Sequence, residues 1–181
     1  MNMFKKNMPK IIPNAKEQIL SVAKEELRNP EGGSFSMRAI AKKCNMAVGT
    51  LYNYYPDKIN LIAGILLSEW NEEYQKAENL ISSLSDVREI LFTITQLILS
   101  FREKNNAVFF TYKDESFGFY YVRLHGMFVD QIEGLWKKGT QDSGLDEEKN
   151  RMIAEMILIQ TKDKTISFDT LCSMITDIIR R

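Results

Sequence analysis

Between Phe35 and Leu61 the chain concentrates side chains suited to gripping a polyanion and reading its edges. Arg38, Lys42, Lys43 and Lys58 supply cations, and Tyr52 and Tyr54 set phenols among them, a combination that bonds phosphate oxygens and fixes register on a nucleic-acid backbone. Val48, Gly49, Thr50 and Asn53 are short. Gly49 admits close approach, and Thr50 offers a methyl or a hydroxyl to a thymine methyl or a polar base edge.

Such roles require elements that hold both sets on one face. Ser36, itself among the candidate DNA contacts, can cap a short helix in which Met37, Ile40, Ala41 and Cys44 recur at helical spacing. Asn45 then breaks that helix, because Asn tolerates the left-handed backbone of a tight turn. A brief third helix, Ala47 to Tyr54, ends before Pro56. Two short helices joined by a tight turn, with the small Ala41 where they cross, form a helix-turn-helix. In that geometry the second helix enters the major groove of DNA by its N-terminal residues. Asp57 opens a long fourth helix, whose first amides and Lys58 offer a further phosphate seat.

Charge is distributed to match. The 181 residues hold 24 Lys+Arg and 24 Asp+Glu, yet residues 1–60 carry 10 basic against 5 acidic side chains, leaving the remainder acidic. A basic first third is the footprint expected if one end meets a polyanion. With 44% hydrophobic and 27% charged residues the composition is that of a soluble globular protein. No apolar run reaches membrane-spanning length, and Met1 to Pro13 lacks the apolar core and cleavage site of a signal peptide, so a cytoplasmic protein without membrane contact is expected. Cys44 and Cys172 lie far apart with one His in the chain, which argues against a zinc site or a disulfide and for two reduced, packed thiols. No cofactor or metal is called for. Nor is an enzyme expected: the chain has no nucleophile elbow, P-loop, HExxH or dinucleotide fingerprint.

Apolar residues recur at helical spacing almost throughout and no strand-like alternation is sustained, so the pattern predicts an all-α fold. Nine helices are expected. The first, Asn14 to Arg28, starts at an Asn cap and buries Ile19, Leu20, Ala23 and Leu27. After the fourth come segments at about 86–104, 106–112, 116–138, 146–162 and 168–180, punctuated by polar or Gly-containing breaks.

Phe35 to Leu61 resembles the DNA-binding signature of the tetracycline-repressor-like (TetR) family of transcriptional regulators. The resemblance rests on Arg38, Ile40, Ala41, Gly49, Leu51, Tyr52, Tyr54, Tyr55, Lys58 and Leu61, and chain length and helix layout agree with it. It implies a helix-turn-helix DNA-binding domain over 1–56 and a helical ligand-binding and dimerisation domain over 57–181. Family members typically carry Gly, Ser and often Lys where this chain has Asn45, Ala47 and Val48, so the third helix lacks a side-chain cap and a basic residue.

Residues 92–136 hold 11 of the 19 aromatics, seven of them between 109 and 121, more than one helix face can take. They either fill a core or line a cavity. The resemblance implies a ligand pocket in this region, and Trp70, Phe92, Phe101, Phe109, Tyr112, Phe117, Tyr121, His125 and Phe128 are the candidate lining for an apolar or aromatic small-molecule effector. His125 shares the face of 117, 121, 124 and 128 and is expected to point inward. On the last two helices, Met152, Ile153, Met156 and Ile157 form one apolar stripe and Phe168, Leu171, Ile175 and Ile178 another. Stripes this wide exceed one inward face, and the resemblance implies a homodimer that buries the excess. The combined expectation is a sequence-specific DNA-binding regulator, acting as a ligand-responsive repressor and as a homodimer on a palindromic operator. The alternative is a helical small-molecule-binding or interaction protein that has lost specific DNA binding, which Ala47 and Val48 keep open.

Overall fold

The computed structural model describes residues 14–28, 35–111, 115–141, 144–163 and 166–180, the side chains of 107, 110, 111, 115–121 and 162–163 excepted. Among the described residues all regular structure is helical: α1 (Ala15–Arg28), α2 (Met37–Lys43), α3 (Val48–Tyr54), α4 (Lys58–Ile81), α5 (Val87–Thr111), α6 (Glu115–Gly139), α7 (Glu147–Asp163) and α8 (Phe168–Ile179). None of them is long and apolar enough to cross a membrane.

Polar residues begin the helices where the sequence places them. The Ser36 hydroxyl accepts from the Ala39 amide, and Asp57, Asp86 and Asp146 carboxylates accept from the amides of Asn60, Glu89 and Lys149. Asn14 differs: its φ of 57° is left-handed, and its backbone carbonyl accepts from Gln18.

The expected break at Asn105-Asn106 is absent, which makes eight described helices of the expected nine. Asn105 is buried and its side-chain amide donates to the Phe101 carbonyl one turn earlier, at 2.9 Å. A group that could compete with the helix backbone is thereby satisfied inside it, and α5 runs straight through.

Two compact units divide the chain, Met1–Leu67 and Ser68–Arg181, with the division inside α4. In the first unit Ile19 and Ala23 of α1, Met37, Ile40 and Ala41 of α2, Cys44, Leu51 of α3, Tyr55, and Leu61 and Ile65 of α4 form one core. Helices of seven residues such as α2 and α3 do not persist alone, so this shared core supports them. A fully buried Ile or Leu contributes about 1.5–3 kcal/mol. Gly64 lets α4 approach closely, because a Cβ there would stand 2.8 Å from Cε1 of the Tyr55 ring.

In the second unit α7 packs on α5 and α6, and α8 packs on α7 and α5. Its interior contains Trp70, Phe101, Trp136, Ile153, Ile157, Leu171 and Ile175. The Trp136 indole donates to Asn150 at 3.0 Å, whose amide in turn donates to the carbonyls of Leu145 and Asp146, so these buried polar atoms are paired.

Candidate nucleic-acid interface

Asn45 sets the turn between α2 and α3 by taking φ 51°. With the chain reversed there, the Met46 amide reaches the Ala41 carbonyl at 3.0 Å and the Asn45 amide reaches Lys42 at 3.1 Å, satisfying carbonyls that the end of α2 leaves open. From α1, the Gln18 side chain donates to the Cys44 carbonyl at 3.3 Å. The turn is therefore held from within and from outside. Burial pushes the Cys44 thiol up from its ordinary value, which fits a packing role for this cysteine.

On α3, Leu51 is buried and the following Tyr55 closes over the same core, its phenol pushed up by burial. That anchoring turns Gly49, Tyr52 and Asn53 outward to solvent, with Thr50 half-exposed beside them. Val48 and Tyr54 are half-buried against the core and present only part of their side chains. Ala47, in extended backbone at φ −65° and ψ 143°, starts α3 with no side-chain cap bond. Gly49 has open space around it: an added Cβ would meet nothing within 4 Å. Internal packing thus gives no reason for a glycine, a residue that weakens a helix, at this exposed position of α3.

The cations separate into different environments. Arg38 and Lys42 are exposed on α2, and Ser36 is half-buried in its cap. Lys43 is ion-paired with Glu26 of α1, whose side chain is nearly buried. Lys58, the first residue of α4, holds its ammonium over the Phe35 ring, 5.3 Å from the centroid. Sequence reasoning missed Gln18, Glu26 and Phe35, because each acts across a gap in sequence that helical periodicity does not report.

The sequence model described as "Bacterial regulatory proteins, tetR family" matches residues 19–65, which include all of α2 and α3 and lie within the first unit, the head. This head is of the TetR type. It makes the chain a DNA-binding transcriptional regulator. The nucleoid occlusion factor SlmA of Aliivibrio fischeri is 24% identical over 152 residues, covering 81% of this chain and 76% of that protein. The HTH-type transcriptional repressor KstR of Rhodococcus jostii is 40% identical over 43 residues, 24% of this chain and 20% of its own. A solved structure of the fatty acid degradation regulator FadR from Bacillus halodurans shares the fold, with a TM-score of 0.54 at 14% identity over 94% of this chain and 96% of the other.

Beyond the TetR-type head, the expected site residues divide. Trp70, Phe101, Phe109 and Phe128 come together: Trp70 stacks on Phe128 at 4.1 Å, and Phe101 meets Trp70, Phe128 and Phe109 edge-on at 5.2, 5.4 and 5.9 Å. The Trp70 indole donates to the Gln131 side chain, which pairs its one polar atom. Phe92 does not join them. It is 52% exposed and meets Phe168 of α8 edge-on at 5.8 Å, because its turn of α5 faces outward. His125 corrects the expectation of an inward side chain: it is half-exposed, 3.1 Å from a Glu155 carboxylate oxygen on α7. Tyr112 lies outside the described residues, as do the side chains of Phe117 and Tyr121.

The terminal stripes need a correction as well. Ile153, Ile157, Leu171 and Ile175 are buried within the chain and do not form an outer face. The apolar surface is instead Met152 and Ile159 of α7 and Met174 of α8, with Met156, Phe168 and Ile178 half-buried beside them. Sequence spacing alone merged the inward stripe with the outward one.

Proposed function

We propose that this regulator works as a homodimer that places α3 of each subunit in one major groove of a palindromic operator and represses transcription until a small molecule releases it. The observation that carries the reading is the outward face of α3, where Gly49, Tyr52 and Asn53 stand exposed beside Thr50 and a glycine is kept without an internal cause. Arg38, Lys42 and Lys58 bind phosphates, which supply most of the affinity and make it salt-sensitive. Thr50 and Asn53 select bases.

Dimerisation through α7 and α8 covers Met152, Ile159 and Met174, large apolar side chains that a lone subunit exposes to water. Release by ligand is supported by the rings of Trp70, Phe101, Phe109 and Phe128 and by α4, which contributes Leu61 and Ile65 to the head's core and Trp70 to the second unit's. A thousandfold loss of operator affinity requires about 4 kcal/mol of differential binding between two states, within reach of one buried apolar effector.

Selection of bound duplexes from a random library, repeated near 50 and 200 mM salt, tests the reading. A shared palindrome supports it. Binding without a common sequence, or none, returns the chain to the class of helical interaction proteins. On the selected site, Arg38→Ala lowers the salt slope by about 1, and Thr50→Ala relaxes preference at one position per half-site.

A further inference from the structure

Phosphate contact by Lys58 belongs to the function proposed above, and the structure adds a residue on which that contact depends. Phe35 is next to the Ser36 cap of α2 and far from Lys58 in sequence, yet its ring lies under the Lys58 ammonium at 5.3 Å. It is held there by packing of the partly buried Phe35 side chain against the head's core. Lys58 is fixed from its own end as well. Both oxygens of the preceding Asp57 are engaged by Asn60, the backbone amide at 2.7 Å and the side-chain amide at 2.8 Å, so the start of α4 is capped.

We infer that Phe35 is a positioning residue for DNA binding: its ring holds the Lys58 ammonium in place for a phosphate, while making no contact with DNA itself. An ammonium has three N–H donors, and a ring face engages one side of it. A lysine side chain otherwise loses much rotamer freedom when it is fixed on a phosphate. The ring bears part of that loss in the free protein. Leu or Met at 35 preserves the apolar packing and removes the quadrupole that attracts the cation.

The full-length chain is titrated onto a fluorescent mixed-sequence duplex near 50 and 200 mM salt, so that phosphate contacts dominate. Lys58→Ala is expected to lower the log–log salt slope by about 0.9. Phe35→Leu is expected to weaken binding by about 2–5-fold in the wild-type background and to have no effect in Lys58→Ala. Phe35→Met behaves as Leu does, and Phe35→Tyr, which keeps the ring, binds as the wild type. Thermal unfolding of each variant identifies any loss that comes from the fold, and Met replaces Leu if Leu is poorly folded. Equal weakening by Phe35→Leu in both backgrounds overturns the inference, as does unchanged binding in the wild-type background. If Lys58→Ala leaves affinity and slope unchanged, the phosphate role of Lys58 fails and the inference fails with it. If the wild type binds no duplex, the proposed function itself is refuted.

Discussion

Lys43→Met separates two roles that one lysine of the head could play. Its ammonium is paired with Glu26, and the two side chains differ in exposure, 56% for Lys43 against 9% for Glu26. That asymmetry sets the magnitude. Exposed pairs contribute about 0–1 kcal/mol, whereas removing one member of a fully buried pair costs about 3–5 kcal/mol. Lys43→Met strands a nearly buried carboxylate, so the loss lies between these limits, at about 1–2 kcal/mol. Glu26→Gln leaves an ammonium that water already reaches and costs about 0.5 kcal/mol. The double variant is expected to be more stable than Lys43→Met alone, because the stranded charge is gone. Denaturant unfolding of the four proteins measures these differences. Duplex titrations across salt measure the other role: with Lys43 held by Glu26, Lys43→Met keeps the wild-type salt slope, while Lys42→Ala lowers it by about 0.9. A slope that falls by about 1 in Lys43→Met, with unfolding unchanged, refutes the assignment and returns Lys43 to the phosphate contacts.

Ala47→Ser supplies the hydroxyl that α3 lacks at its start and is expected to stabilise the head by about 1 kcal/mol in thermal unfolding. Two glycines respond oppositely to alanine. Gly49→Ala stabilises by up to about 1 kcal/mol, since nothing obstructs the methyl, and weakens duplex binding. Gly64→Ala places a Cβ 2.8 Å from the buried Tyr55 ring and destabilises by about 1–2 kcal/mol net. Glu73 gives a pH dependence. Burial pushes its carboxyl up, but hydrogen bonds from Lys104 and Lys76, the charge of Lys104 and a bond from Ser100 outweigh this and lower it to about 2. A lowered carboxylate contributes its stability above its unfolded value and loses it as pH falls towards about 2. With the lysine ends open to water, the contribution near pH 7 is about 2 kcal/mol, so the wild-type advantage in melting temperature over Glu73→Gln narrows steadily below about pH 4.

Local chemistry was legible in the sequence. The Ser36 cap, the left-handed Asn45, the uncapped Ala47 and the buried series Met37, Ile40, Ala41 and Cys44 each depend on residues within two turns, where helical geometry dictates the neighbours. The helix-turn-helix follows from them. Asn105 was misread because its type favours a break, and only the folded chain shows its amide bonded to Phe101.

Tertiary structure decided which side of an apolar helix is inside. Period alone identifies a stripe, but a stripe three residues wide has two edges, and the packing of α8 and α7 turned Ile153, Ile157, Leu171 and Ile175 inward while leaving Met152, Ile159 and Met174 outside. It decided likewise that Phe92 meets Phe168 and His125 meets Glu155. The cations of the head show the same division. Sequence determines that Lys43 and Lys58 are present on a basic segment; folding brings Glu26 to the one and Phe35 to the other over distances at which no periodic signal exists.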